Sequence, residues 1–551
     1  MENTFQQIFK REYNRTSFTD NVLLPIFQNS VKEVKIFEEQ ALQEVELTET
    51  DLKSAKKIFK YGELVTNDNR RIDLYEVTLQ DTKQVKLARV GIGAMVKKLI
   101  IGNNAAFVNF RYKEIEKRHW RFSFIAYDSF FEDGQVVSKE TNPKRYTYVF
   151  GDEDETYRTA IDRFSELYNA TDIKVKDIQN AFAVEAMSDE FFKEYREVHY
   201  QNFIRFLTGE EIQKKGSKYQ LVEVQEPSSF LISVFNGDKK EARDFCKKLL
   251  GQIVFLYFLQ KKGWLGASNL EYQDGDKNFI QNFYKQAGEN DTFYPVWLSK
   301  LFYDTLNEKR TTDNFEMPNG DNVKIPYLNG GLFEKENTKY DFLVFPSDLF
   351  SSLFDFFNRF NFTIYENSPE EHTIAVDPEM LGHIFENLLE DNKDKGAFYT
   401  PKEIVQYMTQ ESLIEYLATH IGQTEKEGIS TFVKQKNKEF LSDKVLKQID
   451  CLLDDVKVCD PAIGSGAFPM GLLQEIFMLK ERIAFDLGFS VWSPAIVKEN
   501  IIQNSIYGVD IEKGAVDIAQ LRFWLSLVVD EDKPKPLPNL AYKIVVGNSL
   551  V

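Results

Sequence analysis

The stretch VCDPAIGSGAFPMGLLQEI, residues 458–476, runs from a short apolar segment through an Asp-Pro bend and two glycines a residue apart into an amphipathic continuation. A turn needs one glycine at most. Gly464 and Gly466 together leave the junction between a strand end and a helix start free of side chains, so a ligand can approach the backbone there. The helix that opens near Ala467 turns its free N–H groups toward that space. The dinucleotide fingerprint G-x-G-x-x-G is not met, because Pro469 occupies the third glycine position. GIGAM, at Gly91, has two glycines too, but it lies in a helical pattern and reads as packing.

VKVCD reads as a buried strand before the motif, SIYGVDI as the next strand, KGAVDIAQLRFWLSLVVD as its helix and YKIVVGNSL as a third strand. Strand, helix, strand, helix, strand is the order of a doubly wound parallel sheet. Asp460 then ends the first strand and Asp510 the second. Carboxylates so placed suit a nucleoside with an amino-acid tail: Asp510 accepting both ribose hydroxyls, Asp460 facing an ammonium group. The plainer alternative is that both aspartates merely cap helices or turns. Upstream, DPEMLGHIFENLLE is amphipathic and DNKDKGA breaks it; in FYTPKEIVQYM, Thr400 is an N-cap, Pro401 suits the first helical position and Glu403 completes a capping box.

A chain of 551 residues exceeds one ordinary core. Three regions separate by pattern: a small α/β domain over 1–167, a helix-dominated connector over 168–371, and the glycine-bearing region over 372–551. In the first, GELVTNDNRRIDLYEVTL is a hairpin signal, DTKQVKLARVGIGAMVKKLI is helical, and AAFVNFRY and HWRFSFIAY are strands. In the second, EARDFCKKLLGQIVFLYFLQKKGW has helical spacing with Gly263 as a stop. No internal repeat is found.

Composition excludes several classes. Three scattered cysteines and five scattered histidines argue against a disulfide frame and a zinc cluster. The N-terminus lacks a signal peptide's apolar core, and the greasiest run, 249–259, is too short to cross a bilayer, so a cytoplasmic protein without a membrane partner is expected. A formal net charge of −18 opposes a general nucleic-acid binder, and patches such as KEIEKRHWR and KRYTY read as solvated faces. Only a motif reverses that reading.

The motifs resemble DNA methyltransferases that act on exocyclic amines. DPAIGSGAF is similar to their motif I, GAFYTP to motif X, IYGVDI to motif II and KIVVGNSL to the strand of motif III, and the order X, I, II, III is that of adenine-N6 enzymes. The longer context, RDFCKKLLGQIVFLYFLQKKGWLG, YLNGGLFE, FENLLEDNKDKGAFYTP, KRYTYVFGD and YRTAIDRFSEL, resembles type IIG restriction–modification enzymes, single chains that join an endonuclease to such a methyltransferase. The resemblance implies the first half of a Rossmann-like S-adenosylmethionine fold, a role in phage defence, and double-stranded DNA as partner of the complete enzyme. It implies that Phe398, Tyr399, Thr400 and Pro401 line the cofactor pocket and that Asp460, Ala462, Gly464 and Gly466 hold the methionine end. Asp510 then binds the ribose, Ile511 packs on the adenine, and Asn548 stands where the family often has an acidic residue.

The family's catalytic motif IV, (N/D/S)-P-P-(Y/F/W), is expected soon after motif III, yet the sequence contains no Pro-Pro dipeptide. That motif holds the target amine and stacks on the flipped base. The expectation is a front part of an enzyme, inactive alone in methyl transfer: a truncated frame, a fragment, or a split or regulatory subunit needing a second chain with motif IV and the target recognition domain. A different nucleotide binder, such as a dehydrogenase, is disfavoured by Pro469 and FYTP.

By the same resemblance the first region is a nuclease of the PD-(D/E)XK type, with Asp73 and Glu76 as its acids and Mg²⁺ ligands. Two residues after Glu76 stands Thr78, not lysine, and Asp73 and Glu76 lie three apart, on opposite faces of one strand. Asp68 and Lys83 are substitute candidates. A nuclease-like domain impaired in cleavage is expected, or a plain α/β scaffold.

Overall fold

The computed structural model describes residues 1–49, 51–80, 95, 99, 105–112, 119–126, 129–132, 135–138, 144–153, 155, 157–182, 190–215, 218–272, 274–328, 331–360, 362, 371–373, 376 and 402–550. It is a mixed α/β protein, with two compact units: Met1–Glu190 with Asn358–Asp377, and Phe191–Phe357 with Pro378–Val551.

The first unit is built on a mixed sheet. Its strands are β1 (Glu33–Ile36), β2 (Gln43–Glu44), β3 (Ala55–Val65), β4 (Arg71–Leu79), β5 (Ala105–Arg111), β6 (Trp120–Ala126), the β7–β8 hairpin (Ser129–Glu132 with Gln135–Ser138, off the main sheet) and β9 (Lys144–Phe150). The order is β1-β3-β4-β5-β6-β9, closed by a short strand Glu371–Thr373, with β2 also on β3. The expected hairpin is present as β3 antiparallel to β4. The β4–β5 pair is parallel and needs a crossover; the helical pattern of residues 81–100 lies there, almost wholly outside the described residues.

Every residue of β5 from Ala105 to Phe110 is buried, as a strand covered on both faces must be. One face packs Ala106, Val108 and Phe110 against Tyr75, Val77 and Ile125. The other face sets Phe107 among the rings of Phe27, Phe122, Phe124 and Phe182. The closing strand pairs parallel to β9 from far along the chain, a partnership no local pattern announces.

In the second unit the greasy run becomes the helix Lys239–Lys261, buried without interruption from Leu249 to Gln260. Asp238 caps it by accepting the Glu241 N–H at 3.0 Å, and Gly263 follows its end at φ +73°. The connector region also holds a hairpin, Glu210–Lys215 with Lys218–Glu223, which the helix-dominated reading did not contain. The three strands expected around the glycine motif are Val458–Asp460, Ile506–Asp510 and Ile544–Val546, parallel and adjacent in that order. Between them run the helices Ala467–Leu487, Pro494–Ser505 and Lys513–Asp530. Among the described residues no helix is long and apolar enough to cross a membrane.

Candidate functional site

Strand register sets the geometry. Asp460, last residue of the first parallel strand, pairs with Gly508, and Asp510, last of the second, pairs with Val546. Past Asp460 the chain folds over the second strand. The Asp460 Oδ1 accepts the Ala462 N–H at 3.0 Å, and the Ile463 N–H donates to the Val509 carbonyl at 2.9 Å. Ile463 lies directly on Gly508, where a Cβ would stand 2.2 Å from its Cδ1. That glycine admits the loop.

Gly464 and Gly466 both have left-handed backbone, φ +54° and +85°, which side chains disfavour. Their purposes differ. A Cβ on Gly466 would press on Ala519 at 3.2 Å, so this glycine packs two helices together. A Cβ on Gly464 would meet nothing within 4 Å, so this one borders open space. Ser465 is buried between them, its carbonyl accepting from the buried Arg522 at 2.9 Å. Arg522 was not singled out in the sequence; its signal is a lone arginine in an otherwise apolar helix stretch.

Asp510 knits the two strand ends. Its Oδ2 accepts the Gly464 N–H at 2.8 Å and its Oδ1 the Glu512 N–H at 2.9 Å. Each oxygen keeps a further lone pair. Burial first, and the Asp510 charge after it, push the Asp460 carboxyl above the ordinary value, against the opposing hydrogen bond from Ala462. Among the described residues neither aspartate forms an ion pair with a cationic side chain. Two carboxylates at neighbouring strand ends thus lack a cationic side-chain partner among the described residues.

Of the other expected residues, Ala462 and Asn548 are exposed and Ile511 is 72% exposed beside Asp510. The Asn548 side chain accepts the Leu550 N–H at 3.0 Å. Phe398, Tyr399, Thr400 and Pro401, with the capping box of Thr400 and Glu403 and the amphipathic 377–390 segment, lie outside the described residues or side chains, as do Lys83 and Gly91.

In the first unit the structure does not bring Asp73 and Glu76 together. Asp73 accepts from Arg71 Nε at 2.8 Å and pairs with Lys60 Nζ at 3.0 Å, on the face that Tyr75 shares. Glu76 sits on the opposite face with Arg111 and Arg15. Asp68 is a cap, accepting from Thr66 Oγ1 at 2.5 Å and the Val175 N–H at 3.2 Å. A carboxylate already paired with cations on its own face does not fit a shared Mg²⁺. Among the described residues no group of three or more His, Cys, Asp or Glu side chains is placed to hold a metal.

The chain resembles restriction–modification proteins that combine endonuclease and methyltransferase, in agreement with the motifs. It is 29% identical over 432 residues to a protein of Methanocaldococcus jannaschii provisionally named as a type II restriction enzyme and methyltransferase, RM.MjaORFECS2P. That match takes in 70% of this chain and 34% of the relative, so the chain spans about a third of the length of the curated relative it matches. No family model matches. Two solved structures are more distant: the type IIL restriction–modification enzyme MmeI in complex with DNA (20% identity, TM-score 0.37, 55% of this chain and 37% of that one) and the DrdV–DNA complex (11%, 0.28, 92% and 36%).

Proposed function

We propose that the second unit binds S-adenosylmethionine and that the protein is part of a restriction–modification system that methylates adenine N6 in double-stranded DNA. The single supporting observation is the pair Asp460 and Asp510 at neighbouring strand ends, uncompensated by any described cation and bordered by the open Gly464. The proposed ligand carries an ammonium and a sulfonium, and two half-buried carboxylates favour a cation over a pyrophosphate. Asp460 faces the ammonium, the free lone pairs of Asp510 take the ribose hydroxyls, and exposed Ile511 offers an apolar surface to the base. Ala462 and Gly466 shape the methionine end, with Phe398, Tyr399, Thr400 and Pro401 as the remaining wall and Asn548 near the base. The bound sulfonium supplies an activated methyl group; the protein's part is to hold and orient it.

The test is calorimetric titration of the chain with S-adenosylmethionine and, separately, with NAD. Saturable binding of the former alone, weakened at least tenfold in Asp460→Ala, is expected. Equal heats for both ligands, or an unchanged Asp460→Ala variant, would exclude the assignment.

A further inference from the structure

The helix Ala467–Leu487, which opens straight from the glycine loop, packs beside the helix Lys402–Ile421. Gly471 and Glu475 stand one turn apart on one face of the first helix. A Cβ on Gly471 would lie 2.3 Å from Val405 Cγ1, so this glycine permits the close approach. One turn further along both helices, Gln410 Nε2 donates to Glu475 Oε1 at 3.1 Å. The two contacts advance in the same direction, so the helices run in the same sense and begin at the same end.

Glu475 is 2% exposed, and its second oxygen is taken from a third helix. Lys436, which follows Lys426–Gln435 with left-handed backbone at φ +54°, donates from Nζ to Oε2 at 2.8 Å and to the Val433 carbonyl at 2.6 Å. One buried carboxylate therefore ties three helices. An ion pair so placed contributes little net stability, because desolvation offsets the attraction; its best-attested use is to fix register. Apolar helix faces interlock in alignments a turn apart. The Gln410–Glu475–Lys436 link is satisfied in only one of them.

The glycine loop tolerates little movement of the helix it opens. The Met470 N–H donates to the Gly466 carbonyl at 2.9 Å and the Gly466 N–H to the Ile463 carbonyl at 2.9 Å, so loop and first turn move together. Ala519 stands 3.2 Å from where a Gly466 Cβ would be, and the Gly464 N–H reaches Asp510 at 2.8 Å. A shift of about 1 Å along the helix axis would break that hydrogen bond or press the loop on Ala519.

We propose that Glu475 is a positioning residue. By fixing the register of Ala467–Leu487 against Gln410 and Lys436, it sets the glycine loop where a ligand meets Gly464. It acts through the loop and not by contact with the ligand. Its effect on affinity rests on the cofactor reading, whereas the loop's position is read with no ligand present.

The experiment compares wild type, Glu475→Gln and the double variant Gln410→Leu with Glu475→Leu in the full chain. Replacing a buried polar pair by apolar groups is neutral or stabilising, and Lys436, whose side chain is 19% exposed, keeps Val433 and water. The double variant should therefore melt no lower than wild type. Its backbone amides over residues 463–466, followed by hydrogen exchange and mass spectrometry without ligand, should exchange about tenfold faster, while those of the helix beyond Glu475 stay protected. Glu475→Gln keeps an acceptor for Gln410 and should retain slow exchange. Unchanged loop exchange in the double variant overturns the proposal, as does Glu475→Gln exchanging equally fast. A double variant that fails to fold, or whose whole helix loses protection, makes the pair a stability element and overturns it too. With S-adenosylmethionine as probe, the double variant should bind about tenfold more weakly. Wild type that binds none defeats the cofactor reading and leaves the exchange to decide this proposal. Wild type that binds it, with a double variant that keeps either full affinity or slow loop exchange, defeats this proposal alone.

Discussion

The carboxylate of Asp510 accepts the backbone N–H of Gly464 at 2.8 Å, so the residue that ends one strand holds the glycine loop that follows its neighbour. Loop shape and ligand-facing charge are thereby linked in one hydrogen bond. The two glycines that flank this contact, one under the loop and one at its tip, answer to different constraints.

Alanine at each should separate them. Gly508→Ala drives a Cβ toward Ile463 Cδ1 at 2.2 Å with Ile463 Cβ at 3.0 Å, and should destabilise the fold by about 1–3 kcal/mol. Gly464→Ala meets no atom and carries only left-handed strain at φ +54°, about 1–2 kcal/mol. Its Cβ nevertheless enters the open space. Thermal melting should rank Gly508→Ala at least as damaging, whereas S-adenosylmethionine titration should show Gly464→Ala losing affinity out of proportion to its melting shift. Full affinity in a folded Gly464→Ala chain would refute the placement.

Asp517, on the helix Lys513–Asp530, is pushed up to about 6, first by burial, with Lys248 and Lys513 opposing and Glu336 and Asp244 reinforcing. Its folded value exceeds the ordinary 3.8. Between those two values the folded chain holds the proton more tightly, so stability contributed by this group falls as pH rises and levels off above about 6. Asp517→Asn removes the ionisable group and should stabilise the protein at neutral pH by on the order of 2 kcal/mol. Denaturant melts at pH 5 and pH 7.5 give the difference; an equal effect at both would contradict it.

Asp460 lies in the raised direction, for burial and the neighbouring Asp510 charge. A cationic ligand favours its ionised form, so binding should release protons and weaken as pH falls through the raised value. Titrations in buffers of different ionisation enthalpy measure that release. Asp460→Asn should abolish both the release and the pH slope, and a wild-type affinity flat from neutral pH into acid would count against a cation at this carboxylate.

The parts legible in the sequence are those whose cause is local. The hairpin of β3 and β4, the buried helix Lys239–Lys261 and the strand–helix alternation from Val458 to Val546 follow from apolar period and turn residues. The glycine loop was legible for the same reason. Arg522 under Ser465, and Gly508 under Ile463, were not, because each matters only through a partner distant in sequence.

Period and spacing alone specified the β3–β4 hairpin, the helix Lys239–Lys261 and the strand–helix alternation around the glycine motif, but not the hairpin of Glu210–Lys215 with Lys218–Glu223, and they specified that Asp73 and Glu76 must face opposite ways on one strand. Only the tertiary structure decided that Glu76 is shared by Arg15 and Arg111, that Asp510 grips Gly464, and that a strand at Glu371–Thr373 completes the first sheet. Backbone preference acts over a few residues, whereas a side chain's charge environment is set by whichever strands the fold lays beside it.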